Sequence, residues 1–112
     1  MRKELVAASA EPMILALLAR GESYGYAIIQ EIGRRSQEQI QWTEGMLYPV
    51  LHRLEENRWI KSRWVEGENG RKRKYYTLTK TGQKELAEQH QNWLAVHDVL
   101  SGLGKAEYVQ IR

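Results

Sequence analysis

The sequence predicts a mainly helical fold with one small β-hairpin. Three observations carry that expectation. Apolar residues recur at helical spacing in several stretches, the span from Ile60 to Leu78 alternates at a period of two about a glycine-containing turn, and the last apolar residues repeat every seven positions.

Leu5, Ala8, Ile14, Leu17 and Leu18 form the first helical stripe, which stops at Arg20-Gly21. The stripe is loose before Pro12. That proline stands either at a kink or in a first turn, and the second option starts the helix near Glu11. Ser23 is expected to cap a second helix that buries Tyr24, Ala27, Ile28 and Ile32 and frays between Gly33 and Ser36. Ile40 and Trp42 then flank Gln41 in an alternation that is either a one-rung strand or a loop packed on the core.

Thr43 is the next N-cap, and Leu47, Val50, Leu51 and Leu54 supply the i, i+3, i+4, i+7 set of an amphipathic helix. With those four inward, Glu44, Gly45, Tyr48 and His52 face outward. Pro49 removes a helical hydrogen bond and crowds the carbonyl of Gly45, so the first turn is expected to be distorted. The distortion is either a kink in a core helix or a loosened turn whose backbone can approach a phosphate.

Ile60 to Glu66 and Lys72 to Leu78 alternate as strands, with Gly67 and Asn69-Gly70 as turn residues between them. Thr79 caps a final helix running through Gln83, Leu86 and Trp93 toward Leu100 and breaking at Gly102 or Gly104. Leu86, Trp93, Val96, Leu100 and Leu103 fall on its heptad seam, with Gln89 in the polar slot. A narrow apolar seam placed after a complete small domain finds its partner in another chain. The expected division is a winged helix-turn-helix unit over 1–79 and a long C-terminal dimerisation helix over 80–112.

Composition narrows the function classes. At 112 residues the chain buries one small core. No apolar run approaches the roughly 20 residues of a membrane span, and Glu4 and Glu11 interrupt any signal-peptide core, so the expected location is cytoplasmic. The sequence contains no cysteine, which removes disulfides, thiolate metal sites and cysteine nucleophiles. His90 and His97 are about 10.5 Å apart along a helix, too far to share a metal, and His52 has no ligand partner at useful spacing. No phosphate-cradling glycine loop or nucleophile signature is present, and Glu55-Glu56 reads as a solvated helix end. No enzyme, metal or cofactor is expected.

The net charge of +3 is modest, but its distribution is not even. Lys61, Arg63, Arg71, Lys72, Arg73 and Lys74 concentrate positive potential on the hairpin. A basic hairpin that directly follows a capped, exposed helix is how a winged helix-turn-helix grips duplex DNA, with the cations on phosphate. Tyr75 and Tyr76 alternate, one toward the core and one toward solvent or phosphate.

These residues carry a family resemblance. Tyr24-Gly25-Tyr26-Ala27-Ile28, the run from Glu44 to Glu55 around Leu47-Tyr48-Pro49, and Gly70 to Thr79 with Gly82 together resemble the PadR family of bacterial transcriptional regulators. The resemblance covers about residues 23 to 86. It implies that the helix from Thr43 is the recognition helix, the hairpin the wing, and the last helix the dimerisation element. Two positions depart from the family pattern. Arg58 stands where a glycine usually ends the recognition helix, leaving Asn57 to take the left-handed conformation, and Lys72 replaces a frequent wing proline. A single long last helix resembles the smaller subgroup, some members of which sense drugs through a tryptophan that Trp93 matches in place. Trp93 either stacks a planar aromatic effector or packs the dimer seam.

The function so implied is a homodimeric repressor on a pseudo-palindromic operator. Thr43, Glu44 and Gly45 lie near bases, Tyr48 at the DNA backbone, and Arg71, Lys72, Arg73 and Lys74 on phosphate or in the adjacent minor groove. The alternatives are a winged-helix module binding an acidic protein, and a small-molecule-binding dimer without regulatory output.

Overall fold

The computed structural model describes residues 1–111, with side chains described through Gly104. Helix α1 spans Lys3–Ala19, a short strand β1 Ser23–Tyr24, α2 Gly25–Arg35, α3 Glu44–Glu56, β2 Ile60–Glu66, β3 Lys72–Leu78 and α4 Lys80–Ile111. The strands form an antiparallel sheet in the order β1-β3-β2. Ile14, Leu15 and Leu18 of α1, Ile28 and Ile32 of α2, and Leu47, Leu51 and Leu54 of α3 close one core, capped by Ile60 and Tyr76 from the sheet. Ile40 and Trp42 belong to it from a loop, not from a strand.

Several sequence expectations are corrected. α1 begins at Lys3 and runs through Pro12, so of the two positions expected for Pro12 it takes the one inside the helix, and the start near Glu11 is set aside. Ser23 is not a cap: Ser23 and Tyr24 pair with Tyr76 and Tyr75, and α2 starts at Gly25 without a side-chain cap. A strand of two residues is too short to show alternation. α4 does not break at Gly102 or Gly104 but continues to Ile111. An interior glycine costs only about 1 kcal/mol, and the helix formers Lys105, Ala106 and Glu107 follow immediately.

α3 ends differently from the expectation too. Asn57 remains right-handed at φ −77°, while Arg58 itself takes φ +63°. The amide of Trp59 donates to the Leu54 carbonyl at 3.1 Å and that of Arg58 to Glu55 at 2.9 Å, the paired bonds of a Schellman ending. Seating the Trp59 ring on the core holds an arginine where glycine would be cheapest.

α4 sets the length of a molecule 57 Å in its longest dimension. Its first turns pack on α1, with Leu86 half-buried against the core. From Gln91 to Leu103 every residue is exposed. Gln89, the polar member of the seam, turns back to α1: its side-chain amide donates to Glu85 at 2.7 Å and to Glu11 at 3.5 Å. The other Glu11 oxygen accepts from Arg53 of α3 at 2.9 Å. One carboxylate on α1 therefore touches both α3 and α4.

Candidate nucleic-acid interface

The start of α3 is fixed by Thr43, whose hydroxyl oxygen accepts from the Met46 amide at 3.2 Å. That cap leaves Glu44 and Gly45 exposed at the positive end of the helix. The helix passes unbroken through Pro49, so the sequence-based expectation of a distorted first turn is not reflected in its continuity. Tyr48 and His52 follow one turn apart, both exposed.

Tyr48 also packs against α2, a contact that its spacing in the sequence did not disclose. A Cβ at Gly25 would lie 2.5 Å from the Tyr48 hydroxyl, so the ring of Tyr48 rests directly on the first residue of α2. Glycine leaves room for that approach, which brings α2 and α3 together at their outer edge. Tyr76 lies close by. Burial pushes its phenol pKa up, reinforced by the carboxylate of Glu55, so the hydroxyl stays neutral.

Glu55 is not a solvated helix end. Its Oε2 accepts from the Ser62 hydroxyl at 2.5 Å, and its Oε1 lies 3.9 Å from the Lys74 ammonium, which joins α3 to both strands of the wing. Glu56 remains exposed.

Strand register splits the basic run between two faces. Lys72 lies opposite Glu66 and Lys74 opposite Trp64, on the face shared with Tyr76. Arg73 lies opposite Val65 on the other face, where its guanidinium sits 4.6 Å above the Tyr24 ring. Tyr24 in turn meets Tyr75 edge-on at 5.2 Å. So Tyr76 is the core tyrosine and Tyr75 supports the opposite face. Lys74 is held by Glu55 and lies over the rings of Trp64 and Tyr76. Arg63 is clamped by Glu22 through bonds of 2.8 and 3.2 Å. Among the described residues, Lys61, Arg71 and Lys72 are the wing cations without an ion pair or a ring beneath them.

The turn is closed by its own hydrogen bonds. The Gly67 amide donates to the Arg71 carbonyl at 2.6 Å, the Asn69 side chain accepts from the Arg71 amide at 3.2 Å, and Gly70 supplies a φ of +78°. Both main-chain groups of Arg71 are hydrogen-bonded within the turn, and its side chain is exposed.

On α4, Trp93, Leu94, Val96, Val99, Leu100 and Leu103 are exposed, whereas Leu86 is partly spent on its own core. Trp93 borders an apolar groove of about 350 Å³ between α1 and α4, with Leu5, Pro12, Met13, Ala16 and His90 in its walls. Among the described residues no cluster of His, Asp and Glu could hold a metal ion, and no helix is long and apolar enough to cross a membrane.

Residues 14–88 match the transcriptional regulator PadR-like family. An uncharacterised protein of Lysinibacillus sphaericus is 33% identical over 100 residues, covering 89% of this chain and 92% of that one. Among solved structures, a transcriptional regulator from Clostridium thermocellum is similar with a TM-score of 0.83 at 30% identity, covering 94% of this chain and 99% of that one. A PadR-like transcriptional regulator from Bacillus cereus gives a TM-score of 0.82 at 28% identity, covering 94% and 100%.

Proposed function

The chain belongs to the PadR-like family of transcriptional regulators, and from that premise we propose that it acts as a homodimeric repressor on a pseudo-palindromic operator. Residues 1–79 form the DNA-binding unit, and 80–112, of which residue 112 lies outside the described residues, the segment that pairs two of them. Thr43, Glu44 and Gly45 approach base edges in the major groove, Tyr48 meets the backbone, and Arg71 and Lys72 meet phosphates beside the minor groove. Arg73 and Lys74 contribute by stiffening the wing.

The observation that carries this reading is the exposed edge of α3, from Glu44 to His52, beside a hairpin whose tip keeps Arg71 and Lys72 unpaired. The dimer is supported by the exposed apolar face of α4, which a monomer would leave in water. The groove beside Trp93 supports a planar aromatic effector that changes the spacing of the two heads.

Mobility shift against fragments of the source genome, repeated over a range of salt, tests the function. A sequence-selective shift is expected. Binding to acidic protein with no selective DNA shift would replace the repressor with an interaction module. Light scattering is expected to give the dimer mass and Leu100→Asp a monomer; a monomeric wild type at micromolar concentration overturns the dimer.

A further inference from the structure

Trp64 is 64% exposed, more than any other tryptophan of the chain. It stands on β2 beyond the last core residue of its face, and its cross-strand neighbour Lys74 lies 5.9 Å from the ring centre. The face it occupies is continuous with the core side of the sheet. Ile60 and Leu78 form the inner pair, Ser62 and Tyr76 the next, then Trp64 and Lys74, then Glu66 and Lys72. Ser62 and Lys74 both reach Glu55, so this face borders α3. Arg73 and Tyr75, by contrast, turn to the opposite side.

A large indole on a narrow hairpin is poorly placed for burial in its own domain. Charge indicates what covers it. Lys72 and Lys74 share its face and Arg71 lies at the adjoining turn, with Glu66 as the acidic group in the same row. An apolar protein partner would have to desolvate these cations, whereas a polyanion pairs with them while offering apolar surface of its own. Duplex DNA has that combination, because each sugar ring lies between two phosphates.

We propose that Trp64 is a DNA-contacting residue whose indole packs against deoxyribose at the groove edge, between phosphates held by Arg71 and Lys72. The assignment rests on the DNA-binding reading above. It adds a contact of another kind, since aromatic packing on a nucleotide neither depends on sequence nor releases counterions.

That difference supplies the test. Dissociation constants for an operator fragment and an unrelated duplex are measured over a series of salt concentrations for the wild type, Trp64→Ala, Trp64→Phe and Lys72→Ala. Trp64→Ala is expected to weaken binding to both duplexes about tenfold at every salt concentration, the order expected when apolar surface buried against sugar is lost. Its log-log slope stays that of the wild type. Trp64→Phe should recover part of the loss, and Lys72→Ala should flatten the slope by roughly 1.8 for a dimer losing one phosphate contact per subunit. Wild-type affinity in Trp64→Ala overturns the proposal. So does a loss accompanied by a flattened slope, which would mean that the indole only positions the phosphate-binding cations Arg71 and Lys72. A wild type that shifts no DNA defeats the DNA-binding reading itself and is told apart by the first lane of the same gel.

Discussion

The Thr79 hydroxyl donates to the main-chain carbonyl of Arg58 at 2.7 Å. The same oxygen accepts from the Gly82 amide at 3.0 Å, while the Thr79 amide donates to the Trp59 carbonyl at 3.0 Å. The last turn of α3 and the first turn of α4 are thereby tied through one side chain. With Glu11 accepting from Arg53 and from Gln89 farther along, α3 and α4 are linked twice.

Gly82 is required by that junction. A Cβ there would stand 2.0 Å from the Trp59 carbonyl oxygen and 2.7 Å from Leu78 Cδ1. The oxygen belongs to backbone already committed to Thr79, so it has no room to retreat. Gly82→Ala is expected to cost at least about 3 kcal/mol in urea denaturation, at the upper end of overpacking penalties. Gly102→Ala, also in α4 but with nothing within 4 Å, should instead gain about 0.5–1 kcal/mol. Equal effects at the two sites would mean that the junction yields.

Arg58 gives the opposite case. Its φ of +63° costs a side-chain-bearing residue roughly 1–2 kcal/mol, and it is exposed with no ion pair among the described residues. Arg58→Gly is expected to stabilise the fold by about 1 kcal/mol, raising the thermal midpoint by about 4–8 °C at matched protomer concentration. An unchanged midpoint would show that glycine's extra freedom in the unfolded chain offsets the relieved strain.

The legible parts of this molecule were those fixed by local chemistry. Thr43 and the inward set Leu47, Val50, Leu51 and Leu54 follow from capping and period alone, and both wing strands appear as the alternation drew them. What escaped depends on contacts distant in sequence. β1 exists because β3 offers it a partner, Arg58 is left-handed because Trp59 must reach the core, and Glu55 is anchored by a strand seven residues away. Cations adjacent in sequence look equivalent. Alternation puts Arg73 and Lys74 on opposite faces, but that Arg73 meets Tyr24 and Lys74 meets Glu55 depends on β1 and α3, which are distant in sequence.

That division has a measurable consequence at the wing. Replacing Arg71 and Lys72 with alanine should remove two phosphate contacts per subunit, so the dimer loses Z of about 4 and its log-log salt slope shrinks by about 3.6. Replacing Arg73 and Lys74 instead should change the slope much less, while lowering thermal stability through the lost cation–π and Glu55 contacts. The loss should be alike on operator and unrelated DNA, since phosphate contacts carry no sequence information. Equal slope changes for the two pairs would mean that DNA pulls Arg73 and Lys74 from their intramolecular partners.

Trp93 separates an effector site from a packed seam. It is 37% exposed at the margin of the α1–α4 groove, one helical turn beyond Gln89. If two Trp93 rings face one another across the dimer axis, a planar aromatic compound gains stacking on both faces, and two chains share one central site. Titration of planar dyes followed by tryptophan emission is then expected to saturate at one ligand per dimer. Trp93→Ala removes both stacking surfaces while Val96 and Leu100 continue to hold the seam, so quenching should disappear with the dimer mass unchanged. Quenching that survives in Trp93→Ala would move the ligand to Trp42, Trp59 or Trp64. No quenching of the wild type by any planar compound would leave Trp93 as interface packing alone.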